Sequence, residues 1–150
     1  MTAEELYWSA KEYGLAAEAQ FLAFAQSKGY SPKYFGGHHS SKDVVITLEG
    51  DESTVDVKAG FPWPDRGIGF MGRRTGIKIR ADYLALVVHT RDESSRLFGD
   101  RLEFPQHDGI YLMPAQAVEE VFAQGLNRAG KPSGMNLYAQ ISELEAYRVS

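Results

Sequence analysis

From Tyr83 to Val88 the chain reads Tyr-Leu-Ala-Leu-Val-Val without a polar interruption, between Asp82 and His89. A strand that alternates has one wet face; a strand that does not alternate has none. This run is therefore expected as a central strand covered on both faces, within Ala81 to His89, and it imposes a layered fold with helices over a sheet. The chain has 150 residues, enough for one domain. A chain of that length buries about 70% of the surface it exposes when unfolded, so no staple is needed. One domain over residues 1–150 is expected.

The other elements follow from local pattern. Ala3 to Lys28 is rich in Ala, Glu, Leu, Gln and Lys and predicts one long helix or two abutting ones divided at Gly14, with Gly29 as the stop. Ser31 to Ser41 reads as loop or a weak edge strand. Asp43–Leu48 and Thr54–Ala59 are β-rich runs around Glu-Gly-Asp-Glu-Ser, a hairpin. Gly60 to Gly76 is a long Gly- and Pro-rich segment, expected as a loop, and loops of that length are functional or disordered. A short strand at Gly109–Met113 leads to a helix opened by Pro114 and closed by Gly125. A last strand spans Asn136–Ile141, and Ser142-Glu-Leu-Glu145 has the pattern of a capping box. The order is α-β-β-β-β-α-β-α, an α/β chain without repeats.

Composition excludes several chemistries. There is no cysteine, hence no disulfide, thiolate metal site or cysteine nucleophile. That fits a reducing cytoplasm. The acidic start Met-Thr-Ala-Glu-Glu-Leu has no apolar signal region, and no stretch approaches the roughly 20 apolar residues of a membrane span. Net charge is −4, yet Lys58 to Arg80 holds six basic residues against one acid. A local basic stripe weighs more than the total in nucleic-acid binding. A solvated basic loop is the other reading.

The chemistry-bearing residues are a glutamate on the first helix and acids on the two strands that follow it. Glu18 is spaced with Leu15, Leu22 and Ala25 along one helical face. A carboxylate inside an apolar stripe needs a cation; a carboxylate at the rim of a wide face does not. On the second hairpin strand Asp56 and Lys58 share one face and Val55 and Val57 the other. With the turn centred near Gly50 and Asp51, Asp43 lies opposite Lys58 and diagonal to Asp56. Such a group is either a cross-strand salt bridge or a site for a hard divalent ion. Carboxylate oxygens suit Mg2+ or Mn2+ rather than zinc. A bound ion neutralises a phosphodiester and activates water; Lys58 is placed to orient that water or stabilise the transition state.

Taken together, Gly14-Leu-Ala-Ala-Glu18, Asp43-Val-Val-Ile, Val55-Asp-Val-Lys58, Asp82-Tyr-Leu-Ala-Leu-Val-Val and Ile110-Tyr-Leu-Met-Pro114 resemble the PD-(D/E)xK nuclease superfamily. That superfamily includes restriction endonucleases and archaeal Holliday-junction resolvases. The likeness runs from about Gly14 to Phe122 and is nearest to small stand-alone endonuclease-like members. Lys42 stands where the family often has proline. The resemblance implies a restriction-endonuclease-like core, a mixed central β-sheet flanked by helices. It also implies a Mg2+- or Mn2+-dependent endonuclease acting on DNA, with Asp43 and Asp56 as metal ligands, Lys58 as the catalytic lysine and Glu18 as the helix acid. Homodimers are common among nucleases of this size. A resolvase, or a non-catalytic module that binds nucleic acid or protein on the same fold, are the rival readings.

Other signals are weaker. Gly67-Ile-Gly-Phe-Met-Gly72 spells GxGxxG, but prolines precede it and no helix is expected after it, so it reads as flexible loop rather than a dinucleotide site. Arg73, Arg74 and Lys78 are candidate nucleic-acid contacts, interleaved with Phe61, Trp63 and Phe70, which either stack on bases or fold inward. His38 and His39 lack further ligands at zinc spacing. His89 and His107 read as isolated.

Overall fold

A computed structural model describes residues 3–35, 44–63, 67–71, 79–89, 107–126 and 132–150. The elements are α1 (Ala3–Ser27), β1 (Lys33–Tyr34), β2 (Val44–Leu48), β3 (Asp51–Trp63), β4 (Gly67–Met71), β5 (Tyr83–His89) and β6 (His107–Pro114). They continue with α2 (Ala115–Val121), β7 (Ala123–Leu126), β8 (Pro132–Ala139), α3 (Ile141–Leu144) and a 3-10 turn at Glu145–Tyr147. No described helix is long and apolar enough to cross a membrane.

The eight strands form one mixed sheet whose axis is β3. Along one edge β3 pairs antiparallel first with β2, over Asp51–Val55, and then with β4, over Gly60–Trp63. Along the other edge Val55–Gly60 pairs parallel with Tyr83–Val88 of β5. The sheet therefore forks: β2 and β1 leave in one direction, β4, β8 and β7 in another. β5 then pairs antiparallel with β6. The expected central strand is β5, bounded by β3 and β6.

The two faces of β5 explain its unbroken apolar run. Ala85 and Val87 join Val44, Ile46, Val55, Val57 and Ile110 beneath Ala17, Phe21, Phe24 and Ala25 of α1. Leu84, Leu86 and Val88 belong to a second core with Ile68, Phe70, Met113, Val118, Phe122 and Leu137. The outer edge of β6 is covered by the chain end, where Val149 N donates to Ile110 O at 2.9 Å and Ile110 N to Ser150 O at 3.1 Å. An open strand edge is thereby occupied.

The structure departs from several expectations. α1 runs through Gly14 without a break. Its buried stripe is Ala17, Phe21, Phe24 and Ala25, while Leu15 is 50% exposed. The helix is thus turned by about one residue from the face expected through Leu15, Glu18 and Leu22, because the two phenylalanines carry more apolar area. The segment from Gly60, expected as a loop, is strand to Trp63 and again from Gly67 to Met71. Ile68 and Phe70 alternate inward there, a period-2 signal hidden by glycine's poor β-propensity. Phe70 packs edge-on against Phe122, with centroids 4.9 Å apart. Phe122 is extended, so α2 stops at Val121 instead of reaching Gly125, and Ala123–Leu126 forms β7. α2 begins at Ala115 with Pro114 as its N-cap, one residue later than expected. α3 begins at Ile141 after Gln140 without a side-chain cap, so the capping box at Ser142 does not form.

Two local features fix the frame. Asp82 Oδ2 accepts from Thr54 N at 2.9 Å and from Thr54 Oγ1 at 3.1 Å, Thr54 Oγ1 accepts from Asp82 N, and Asp82 O accepts from Ala115 N of α2. One aspartate thus ties β3, β5 and α2 together. Gly67 has φ +86, and a Cβ there would lie 2.1 Å from the carbonyl oxygen of Ala139 on β8. Gly67→Ala is expected to cost about 2 kcal/mol or more, since backbone strain and a backbone clash combine. Chemical denaturation measures it, with a loss below about 0.5 kcal/mol, the scale of a neutral surface change, contradicting the packing. Asp82→Ala is expected to cost about 1 kcal/mol, water replacing part of what is lost, and to speed hydrogen exchange at the Thr54 amide.

Candidate active site

The hairpin that presents Asp56 and Lys58 is set by its turn. Glu49 (φ 51) and Gly50 (φ 88) both lie in the left-handed region, as a type I′ two-residue turn requires. Leu48 then faces Asp51, and the register runs to Val44 opposite Val55. The turn expected at Gly50 and Asp51 would have set Val44 against Val57. The strands are two residues off that register, an even shift that leaves each side chain on its expected face. Asp43 lies outside the described residues, as do Arg73, Arg74, Lys78, His38 and His39.

Along β3, Val55 and Val57 are buried beneath α1. Asp56 and Lys58 point to the other face, in rows with Leu84 and Leu86 of β5, both fully buried. Lys58 Nζ lies 3.7 Å from Asp56 Oδ1, an ion pair beyond hydrogen-bond length, with side-chain exposures of 35% and 18%. The pair thus stands at the rim of an apolar floor. Lys58 has Asp56 as its one acidic neighbour among the described residues, and the loose geometry leaves the ammonium with donors to spare. On the same edge of β3, the pairs with β2 end at Val55 and those with β4 begin at Gly60, so the Asp56–Lys58 segment occupies the fork of the sheet.

Glu18 is at the rim of α1 rather than in the middle of its apolar stripe. Its Oε2 accepts from the hydroxyl of Tyr34 on β1. Tyr34 pairs with Val44 and Val44 with Val55, so this hydrogen bond stands over the row next to that of Asp56. One row along a strand is about 3.3 Å, and β1 is two strands, about 10 Å, from β3. Glu18 thus reaches the same end of the sheet as Asp56, from the helix side, and is not in contact with the Asp56–Lys58 pair. Among the described residues no three His, Cys, Asp or Glu side chains come together as a metal cage. The donor at the pair, a half-buried carboxylate, suits a hard divalent ion in kind.

Sequence reasoning missed two contacts. Tyr34 fell in a segment read as loop or weak edge. His89 is fully buried rather than isolated: its Nε2 lies 2.7 Å from Gln20 Oε1 on α1, and the ring of Phe61 is 6.1 Å away. Gln20 lies one turn after Ala17 on the buried side of the helix, the spacing that could have flagged it.

No protein-family model and no curated protein sequence matches the chain. Among solved structures, it is similar to a bacterial homing endonuclease, I-Ssp6803I, with a TM-score of 0.52 and 17% identity. The match covers 90% of this chain and 83% of that one. Likeness at this identity is a likeness of fold: the chain shares the mixed α/β architecture of an endonuclease.

Proposed function

We propose that the chain is a divalent-metal-dependent DNA endonuclease of the PD-(D/E)xK type. The observation that carries this reading is the Asp56–Lys58 pair on one face of β3, at the fork of a sheet with the fold of a homing endonuclease. In this reading Asp56, with Asp43, holds Mg2+ or Mn2+. The ion, when bound, supplies Lewis acidity and a water of lowered pKa. Asp56 fixes its position on a rigid central strand. Lys58 donates to the phosphate oxygens as charge builds on them, and its side chain is partly exposed to solvent. Glu18, held by Tyr34 on the helix side of the sheet, one row along and two strands across from Asp56, is the outlying acid. Arg73, Arg74 and Lys78 are proposed to grip the DNA backbone, and a homodimer would supply the second site that double-strand cleavage needs.

The separation of Glu18 from the Asp56–Lys58 pair favours one rival, a module that binds DNA or protein without cutting it. Cleavage of supercoiled, linear and branched DNA with Mg2+ or Mn2+ separates the readings. Cutting that chelation stops supports the nuclease, and a strong preference for branched DNA makes it a resolvase. Asp56→Asn and Lys58→Ala are each expected to lower the rate by about 100-fold or more without unfolding the protein, the scale of losing one transition-state contact. Glu18→Gln is expected to lose less. Binding without cutting by the unaltered chain leaves the non-catalytic module.

A further inference from the structure

We propose that Tyr34 is a positioning residue for Glu18 in the DNA-cleaving site, an inference that rests on the function proposed above. β1 is two residues long, both exposed, and Tyr34 is 49% open to solvent. Its hydroxyl donates to Glu18 Oε2. The neighbouring residue makes a matching tie in another direction, Lys33 Nζ lying 3.0 Å from Glu52 Oε1 on β3. β1 is therefore a bracket, fastened to the hairpin by a lysine and to α1 by a tyrosine.

The chemistry of the fastening distinguishes it from a structural ion pair. A lysine at position 34 would neutralise Glu18. A phenol fixes one carboxylate oxygen without neutralising the acid, and Oε1 has no hydrogen-bond partner among the described residues. Among the described residues Glu18 has no cationic partner. An acid fastened through one oxygen and paired with no cation among the described residues is suited to act on something not yet bound, and orienting partners of this kind change metal affinity or activity by about 10–100-fold when removed. Tyr34 also faces Val44 across the β1–β2 pair, so its position is tied to the strand that follows Asp43 in sequence.

The test uses Tyr34→Phe, which removes one oxygen from an exposed side chain, alongside Glu18→Gln, the double variant and Asp56→Asn. Mn2+ affinity is read by calorimetry and turnover by cleavage of saturating DNA. Tyr34→Phe and Glu18→Gln are each expected to lower Mn2+ affinity or turnover by about 10-fold, the double variant being no worse than Glu18→Gln. An unchanged melting temperature separates this from loss of fold. Impairment of Glu18→Gln with a fully active Tyr34→Phe overturns the assignment, and so do losses that multiply. Full cleavage by Asp56→Asn strikes the proposed site itself, and a chain that neither cuts DNA nor binds Mn2+ overturns both readings.

Discussion

The parallel pairing of β3 with β5 is the contact on which the rest of the molecule depends. It places six consecutive residues of each strand side by side, Val55–Gly60 against Tyr83–Val88. One face of this ribbon forms the floor for α1, and the other the floor for α2 and the β4–β8 wing. Parallel strands cannot be joined by a tight turn, and here the connection from β3 to β5 passes through β4. The hydrogen bonds between Asp82 and Thr54 sit where the parallel ladder starts. They fix which residue of β3 faces which of β5, and so which side chains stand at the fork.

Legibility in the sequence followed burial. β5 was readable because a strand without alternation has a single explanation. The hairpin was readable from its β-rich runs, and the faces of Asp56 and Lys58 from alternation alone, a parity that survives a two-residue error in register. What failed was decided by side chains distant in sequence. β4 looked like loop because its glycines hide the alternation of Ile68 and Phe70, and Gly67 is required by the approach of the Ala139 carbonyl, which no local pattern reveals. α2 ended early because Phe122 meets Phe70. The rotation of α1 was settled by Phe21 and Phe24 outweighing two leucines, and it puts Glu18 at the rim of the face, one of the two places its spacing allowed.

The site illustrates how a sheet can offer charge without burying it. Asp56 and Lys58 lie over fully buried leucines, yet each keeps contact with solvent. Full burial would exact a desolvation penalty larger than the attraction of the pair; full exposure would leave water free to screen it. Polar contacts elsewhere hold the framework at a distance from the pair: Gln20 and His89 lock α1 to the end of β5, and Tyr34 joins α1 to the sheet edge.

The two-residue turn at Glu49 and Gly50 makes the hairpin a counting device. β3 is anchored by β5, so while the two-residue tip is kept, a residue added beside it moves β2 and leaves β3 in place. One added residue would turn Val44 and Ile46 out of the core beneath α1 and present their neighbours to it, whereas two would slide the strand and preserve its faces. A hairpin that keeps this tip can therefore change length only in even steps, and an odd change needs a bulge in β2 or a longer tip to restore the count.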